Sequence, residues 1–294
     1  MLAWGRWGEY SEPKKVFNGV ELLEYGGLLP LTILSVAAIF LFTIPFLFSK
    51  EKATKPKGSV RDHLKATRKE FWGTLKELGR NKNAMLFMIA WFFVTDASNT
   101  AILNMQLVIV DGAGASPTQA LMVIAMGGAL SMIGAFYVGA KLDKVGPKKS
   151  FILNIFAWGI SVTVAILACI EIDGVPLFPW WIMLAVGFTI GIGFGGIWLI
   201  GRQFIYEIAP PNKVTSYMGF KQISGRVSAI LSPLIFSFAL WIGEAVLELT
   251  TANAYALALT PLIVFFVVGL MIILRYKEVH DRYLNGERAP YEDL

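Results

Sequence analysis

Charged residues are scarce in this sequence. Only 16% of its 294 residues are charged, while 55% are hydrophobic. Typical soluble domains contain about 25% charged residues, so the composition argues against an ordinary cytosolic enzyme. The net charge of +5 gives no reason to expect a nucleic-acid partner, because the basic residues are grouped between apolar runs.

Cysteine and histidine are nearly absent. The chain has one cysteine, Cys169, which excludes an internal disulfide and a cysteine-based metal site. Its two histidines, His63 and His280, lie outside every apolar run. This placement excludes heme held by paired histidines, an intramembrane zinc protease and a serine protease with a histidine base. Paired aspartates and a Gly-x-Ser-Gly nucleophile site are also missing from the runs, so we expect no enzyme activity, no metal and no cofactor.

Apolar runs, by contrast, are abundant. A helix needs about 20 residues to cross a bilayer, and seven runs come close to that length. They occupy residues 27–48, 84–110, 119–140, 150–170, 180–201, 227–243 and 252–274. The sequence therefore predicts an all-α polytopic membrane protein with seven transmembrane helices.

The distribution of Lys and Arg predicts the orientation. Of 26 such residues, 11 lie between Lys50 and Lys82, and the loops 111–118, 171–179 and 244–251 contain none. Basic residues near short loops mark the cytoplasmic side. We therefore expect the N-terminus outside and the C-terminus in the cytoplasm, with the plasma membrane as the default location.

The same pattern predicts five regions. They are an extracytoplasmic segment at 1–26, a first transmembrane helix at 27–48, a basic cytoplasmic loop at 49–83, a six-helix transmembrane bundle at 84–275 and a cytoplasmic tail at 276–294. Apolar residues recur at helical spacing within the long loop, among lysines and arginines. This segment is either an amphipathic helix on the inner leaflet or a solvated connector.

One run carries a polar face. Asp96 is the only strongly ionisable residue inside the runs, and a charge at that depth costs about 2.5–3.5 kcal/mol on the insertion scale. Polar residues follow it at helical spacing: Asp96, Asn99, Thr100 and Asn104. This face either lines a water-filled substrate path or forms a hydrogen-bonded patch that fixes helix packing. In the first case the carboxylate attracts a cationic or amino group, or it carries a proton.

Another run is rich in glycine. Six glycines lie between Gly187 and Gly201, including a dense group at Gly191, Gly193, Gly195 and Gly196. Glycine weakens the preference for helix, so this group is a candidate hinge in a moving helix. Close approach of two helix backbones explains the same residues without any motion.

The loop between the third and fourth runs has a recognisable motif. Its residues Gly139, Asp143, Lys144 and Gly146, followed by two lysines, resemble the signature loop of the major facilitator superfamily. The resemblance implies a tight turn between two helices and a cytoplasmic gate. Arg202 and Arg226 would support the helix ends at this gate.

A second region refines the resemblance. Residues 201–236 resemble the loop and eleventh helix of the vacuolar amino-acid effluxer-like branch of that superfamily. The matching positions are Arg202, Pro210, Tyr217, Gly219, Gly225, Arg226, Ser228 and Pro233. Asp96 and Thr100 match the seventh helix of the branch. The chain departs from the branch at Gly201, where Ser is usual, and at Ser216, Ala97 and Ser232.

The resemblance implies a fold and a function. Such transporters have twelve helices in two halves, with the substrate between them, and the seven runs correspond to helices six to twelve. We expect helices one to five in the same gene or in a companion chain. The implied function is secondary active transport of a small solute, such as an amino acid, by alternating access, with or without proton coupling. The alternative is a non-transporting membrane subunit or a degenerate half-transporter that binds a partner.

Overall fold

The computed structural model describes residues 16–17, 20–21, 35–41, 43–44, 60–289 and 291. The chain divides into two units, Met1–Ser59 and Val60–Leu294. In the first unit, strand β1 (Val16–Phe17) pairs antiparallel with strand β2 (Val20–Glu21). Residues 35–41 form helix α1, and residues 43–44 are also helical. The rest of the predicted first transmembrane helix lies outside the described residues.

The second unit is built from long helices. Helix α2 (Val60–Arg80) comes first, within the predicted basic loop. Six long helices follow. They are α3 (Lys82–Leu107), α4 (Pro117–Val145), α5 (Pro147–Ala168), α6 (Met183–Ile208), α7 (Val214–Trp241) and α8 (Thr251–Leu274). The short helix α9 (His280–Leu284) ends the order.

Short irregular elements join these helices. The π-helical turns Val108–Gly112 and Ile242–Val246 extend α3 and α7. Between α5 and α6, strand β3 (Glu171–Ile172) pairs antiparallel with β4 (Val175–Pro176), and a 3-10 turn follows at Trp180–Ile182.

Local sequence explains where the helices begin and end. The Ser116 side chain accepts a hydrogen bond from the Gln119 amide, and the Gln119 side chain accepts one from the Ser116 amide, which makes a capping box at the start of α4. Asn81 caps α3 through the amide of Ala84. Gly146 has φ +80°, a conformation that favours glycine, and it ends α4 just before Pro147 begins α5.

The fold class is confirmed. Five segments are long and apolar enough to span a membrane: Lys82–Gly112, Pro117–Val145, Pro147–Ala168, Trp180–Ile208 and Thr251–Leu274. Large apolar side chains also point outward, as a lipid-facing surface requires; Phe136 is 79% exposed and Leu153 is 65% exposed. The other two predicted spans are only partly covered, because the first lies mostly outside the described residues and α7 is described without the side chains of residues 227–231.

Two helix boundaries differ from the prediction. The apolar run 180–201 continues as helix to Ile208, and α7 begins at Val214 instead of residue 227. The connection between them is thus only residues 209–213. A long charged side chain near the end of a helix can extend its charged group to the membrane surface. The first charged residue after an apolar run therefore does not mark the end of the helix.

Helix packing defines two groups in the second unit. Helix α6 packs against α4 and α5, whereas α3 packs against α7 and α8. Helix α5 also contacts α8 and so connects the groups. An aromatic cluster fills the interior near the start of α3, where the rings of Phe87 and Phe204 stack with centroids 4.3 Å apart.

Candidate functional site

The helix ends of the second unit form two surfaces. We call one the basic end; it contains the α4–α5 turn, the 209–213 loop and the segment after α8. The opposite end contains the β3–β4 hairpin. At the opposite end Tyr255 donates a hydrogen bond to Asp111 (3.4 Å), and Asn253 bonds the backbone of Glu171 in both directions.

Asp96 lies in the interior of the bundle. Its side chain has no exposed surface, and Ser232 of α7 lies beside it. Within the described part of the chain, no hydrogen bond of good geometry satisfies either oxygen of Asp96 or the hydroxyls of Thr100 and Ser232, although the hydroxyl and amide of Ser232 are near enough to interact with the Asp96 carboxylate. Four polar atoms are therefore buried without a well-formed hydrogen bond where α3 faces α7. A buried polar atom normally has a hydrogen-bond partner, so this group is exceptional.

The other two residues of the predicted polar face lie nearer the surface of α3. Asn99 and Asn104 are half-buried. The Asn104 amide donates to the carbonyl oxygen of Thr100 at 2.9 Å, a bond within the same helix. The structure thus brings Asp96 and Thr100 together with Ser232, and it leaves Asn99 and Asn104 at the edge of that group.

A buried cation, Lys221, lies on α7 in a region that the sequence suggested was a loop. It is only 5% exposed, and its ammonium nitrogen lies 4.6 Å from the ring centroid of Trp91. Gly201 of α6 makes room for this ring, since a side-chain carbon at position 201 would overlap it. The predicted gate residues Arg202 and Arg226 are both exposed, and Arg202 is near enough to repel the Lys221 charge.

The signature-loop residues lie at the basic end. Gly139, Asp143 and Lys144 are exposed, whereas Gly146 is buried in the turn. The imidazole of His280 covers this turn, with a side-chain carbon at position 146 placed 3.1 Å from the ring. Among the described residues, no hydrogen bond or ion pair involves the Asp143 carboxylate; its backbone carbonyl provides the contact instead.

A histidine and a glutamate connect three segments at the basic end. His280 Nε2 lies 3.0 Å from the carbonyl oxygen of Asp143, and Nδ1 lies 2.7 Å from Oε1 of Glu207. A carbonyl can only accept, so Nε2 carries a proton and donates it. The Gln203 amide also donates to Glu207 Oε1, at 3.0 Å. These contacts join the α4–α5 turn, α6 and α9.

The surroundings of His280 favour its charged form. Burial alone lowers the pKa of His280, but the hydrogen bonds to Glu207 and to the Asp143 carbonyl outweigh it, assisted by the negative charges of Glu207 and Glu278. The net pKa of His280 is raised above its usual value.

Further contacts hold the segment after α8 at the basic end. Lys148 donates to the carbonyl oxygen of Tyr276 at 2.5 Å. Asn83 of α3 bonds the backbone of Lys277 in both directions, at 2.8 and 3.1 Å. We call this segment, residues 275–280 with its contacts, the C-terminal clasp. Sequence reasoning missed it because its partners lie far apart along the chain.

The glycines proposed as a hinge lie in an unbroken stretch of α6. A side-chain carbon at Gly191 would lie 2.6 Å from the carbonyl oxygen of Gly127 on α4, and one at Gly195 would overlap the Ser131 carbonyl. Gly193 and Gly196 similarly approach side chains of α5 and α4. Close packing thus accounts for all four positions; hinge motion stays a prediction.

A metal site and a groove are two other kinds of functional site. In the part of the chain that the structure describes, no group of three His, Cys, Asp or Glu residues could hold a metal ion. A groove of about 300 Å³ between α5 and α8 is lined by apolar side chains, such as Ile155 and Phe266, and by none of the predicted site residues. The buried polar group around Asp96 and the buried Lys221 are therefore the two candidate functional positions.

Known proteins resemble this chain over parts of its length. It is 22% identical over 170 residues to autophagy-related protein 22 of Kluyveromyces lactis, covering 56% of this chain and 34% of that protein. It is 21% identical over 200 residues to the MFS-type transporter YxiO of Bacillus subtilis, covering 68% and 42%. It is 31% identical over 159 residues to a citrate-proton symporter of Klebsiella pneumoniae, covering 53% and 34%.

The chain spans less than half the length of each of these relatives. A family model described as "Vacuole effluxer Atg22 like" matches residues 24–282, which is most of the chain. The match confirms the resemblance carried by Asp96, Thr100 and the 201–236 region. The chain belongs to the Atg22-like vacuole effluxer family.

Proposed function

We propose that this chain forms part of a secondary active transporter, which moves a small solute across a membrane by alternating access. The observation that carries the proposal is the group of four buried polar atoms on Asp96, Thr100 and Ser232, which lack well-formed hydrogen bonds among the described residues. Such a group lowers stability, and it is useful where a proton, a cation or a solute group binds during a cycle.

The names of the relatives support transport. One is a transporter of the MFS type, and another is named a citrate-proton symporter. Because the chain spans less than half of each, we infer that helices one to five come from the same gene or from a companion chain. They would complete the cavity against α3 and α7.

Asp96 is suited to couple transport to protons. Its protonated carboxyl is neutral, whereas its charged form needs water or a counter-ion in the membrane interior. Within the described residues, no cation forms an ion pair with it. We infer that Asp96 takes up a proton on one side of the membrane and releases it on the other, as the cavity opens first to one side and then the other.

The basic end has the features of a cytoplasmic gate. We place this end in the cytoplasm and the N-terminus outside, since basic residues concentrate there, with the plasma membrane as the default location. Lys144, Arg202 and Arg226 are exposed and free to contact the remaining helices. Amino acids are the first solutes to test, because the family description names a vacuole effluxer.

The test is transport in proteoliposomes that contain this chain and its upstream helices. With Asp96→Asn, we expect solute movement to lose its dependence on a pH gradient, while solute-solute exchange continues. Asp111→Asn is the matched control, because Asp111 is half-buried at the opposite end and accepts a hydrogen bond from Tyr255. Unchanged pH dependence in the Asp96 variant would remove Asp96 from coupling.

The same experiment tests the alternative of a non-transporting subunit. If the complete set of helices moves no solute from an amino-acid and citrate panel, yet this chain copurifies with a partner, the transport proposal is wrong and the binding role stands.

A further inference from the structure

Lys221 has an unusual environment for a cation. It is 5% exposed, and its ammonium nitrogen lies 4.6 Å from the centroid of the Trp91 ring. None of the ion pairs of the described chain includes it. Among the described residues, Lys221 thus carries its charge in the interior without an ion-pair partner.

The neighbours of Lys221 do not neutralise it. Arg202 is the charged group that acts on it, and that charge is also positive. A cation over an aromatic face is stabilised, but this stabilisation is smaller than the loss of hydration of a buried ammonium group. An anion that bound beside Lys221 would offset this loss.

Asp96 does not supply that anion. Asp96 lies beside Ser232, which is eleven residues beyond Lys221 on α7, or about 16 Å along a helix. The described chain shows no ion pair between the two side chains, and Arg202, not Asp96, is the charge that acts on Lys221. Both remain available to other groups.

The surroundings also indicate the kind of anion. The Trp91 ring packs against Phe151, with centroids 6.0 Å apart, and against Trp198, with centroids 6.3 Å apart. These aromatic rings offer few hydrogen-bond donors. One ammonium group with three N–H donors can satisfy the two oxygens and single charge of a carboxylate, whereas a phosphate would leave oxygens unpaired.

We propose that Lys221, held on the Trp91 ring, is a binding site for a carboxylate group of the transported solute. This inference rests on the proposed transport function and specifies its substrate class. Gly201 belongs to the site because it leaves the space in which the Trp91 ring lies. Trp91 is a positioning residue, which acts through its contact with Lys221.

The experiment compares carboxylates with their amides. The purified transporter, this chain with its upstream helices, is heated with leucine, leucinamide or citrate, and its melting temperature is recorded. We expect leucine or citrate to raise the melting temperature and leucinamide not to. With Lys221→Gln, we expect the apparent affinity for the carboxylate probe to fall about tenfold or more. With Lys221→Arg, which keeps the charge but places a larger planar group on the Trp91 ring, we expect a smaller loss than with Lys221→Gln.

Two further variants separate binding from general damage. Lys141→Gln is the matched control, because Lys141 also lies over an aromatic ring, Tyr137 at 4.2 Å, but is exposed; it should bind the probe as the wild type does. Trp91→Phe keeps an aromatic ring with a weaker cation interaction, and we expect a loss of about threefold. If Lys221→Gln does not fold, the Arg and Phe variants still test the site.

Each outcome has a distinct meaning. Equal binding of leucine and leucinamide, no binding of either carboxylate, or normal binding by Lys221→Gln would overturn this inference while leaving transport of other solutes intact. Lys221-dependent binding without transport in proteoliposomes would instead overturn the proposed function and keep the site. If neutralising an acidic residue in the upstream helices restores Lys221→Gln, the carboxylate belongs to the protein and the solute assignment is wrong.

Discussion

The residues of the Lys221 site are in direct contact, so a change in one affects the position of the next. Trp91 lies where Gly201 has no side chain, and Lys221 lies on the face of Trp91. The family branch usually has Ser at position 201. Since even one carbon there would overlap the Trp91 ring, the glycine and the tryptophan are a matched pair in this chain.

Replacing this glycine should therefore be costly. For Gly201→Ala, we expect a loss of about 1–3 kcal/mol in stability, because the new methyl group overpacks the Trp91 ring. Thermal unfolding of the purified transporter measures it. Gly128→Ala on α4 is the control, since nothing lies within 4 Å of its new carbon, and it should be neutral or slightly stabilising. Equal stability of the two variants would show that Trp91 moves aside freely.

The sequence revealed Asp96 and concealed Lys221 for a single reason. Asp96 stood out because it interrupts an apolar run, whereas Lys221 lies before residue 227, where the next run begins. An apolar run is defined as ending at the first charged residue, so a charged residue near the end of a buried helix always falls outside the run. A helix that starts thirteen residues earlier, at Val214, brings Lys221 into the interior, and only its contact with Trp91 reveals this.

At the scale of elements, the C-terminal clasp joins α3, α4, α5 and α6 at the basic end. His280 and Glu207 are 73 residues apart in sequence, and Glu207 lies in the part of α6 beyond the predicted run. No local pattern relates such residues. The turn at Gly146 was predictable from its motif, but its cover by His280 was not.

The clasp should respond to pH through His280. The raised pKa of His280 means that its contacts stabilise the fold fully below the unfolded value of about 6.5, and that this contribution is lost as pH rises through the folded pKa. As pH rises through the folded pKa of His280, the melting temperature of the wild type should fall relative to that of His280→Gln. The glutamine amide can donate to the Asp143 carbonyl but does not titrate. Parallel pH curves for the two proteins would contradict this role.

At the scale of the whole molecule, composition and apolar runs were sufficient to predict an all-α membrane protein. The helices from Lys82 to Leu274 follow the predicted runs. In lipid every backbone N–H and C=O group must be hydrogen-bonded within the protein, and a helix satisfies this condition within a single run. Bounds and side-chain partners were not predictable, since they depend on contacts between distant helices.

The orientation of these helices has a direct test. Cys169 is the one cysteine and is buried, so background labelling by thiol reagents is low. We expect cysteine at Asp173, in the hairpin at the opposite end, to react with an impermeant reagent in intact cells. Cysteine at Lys144 should react only after permeabilisation. The reverse pattern would place the basic end outside.

The contact between α4 and α6 restricts how the bundle can rearrange. Gly191 and Gly195 approach backbone carbonyls of α4, so rotating α6 about its axis by the angle between neighbouring residues would turn a side chain such as Ile192 or Phe194 into that backbone. This close contact favours movement of α4 and α6 together. Flexing is easier in α7, where Pro233 interrupts the helical hydrogen bonds next to Ser232.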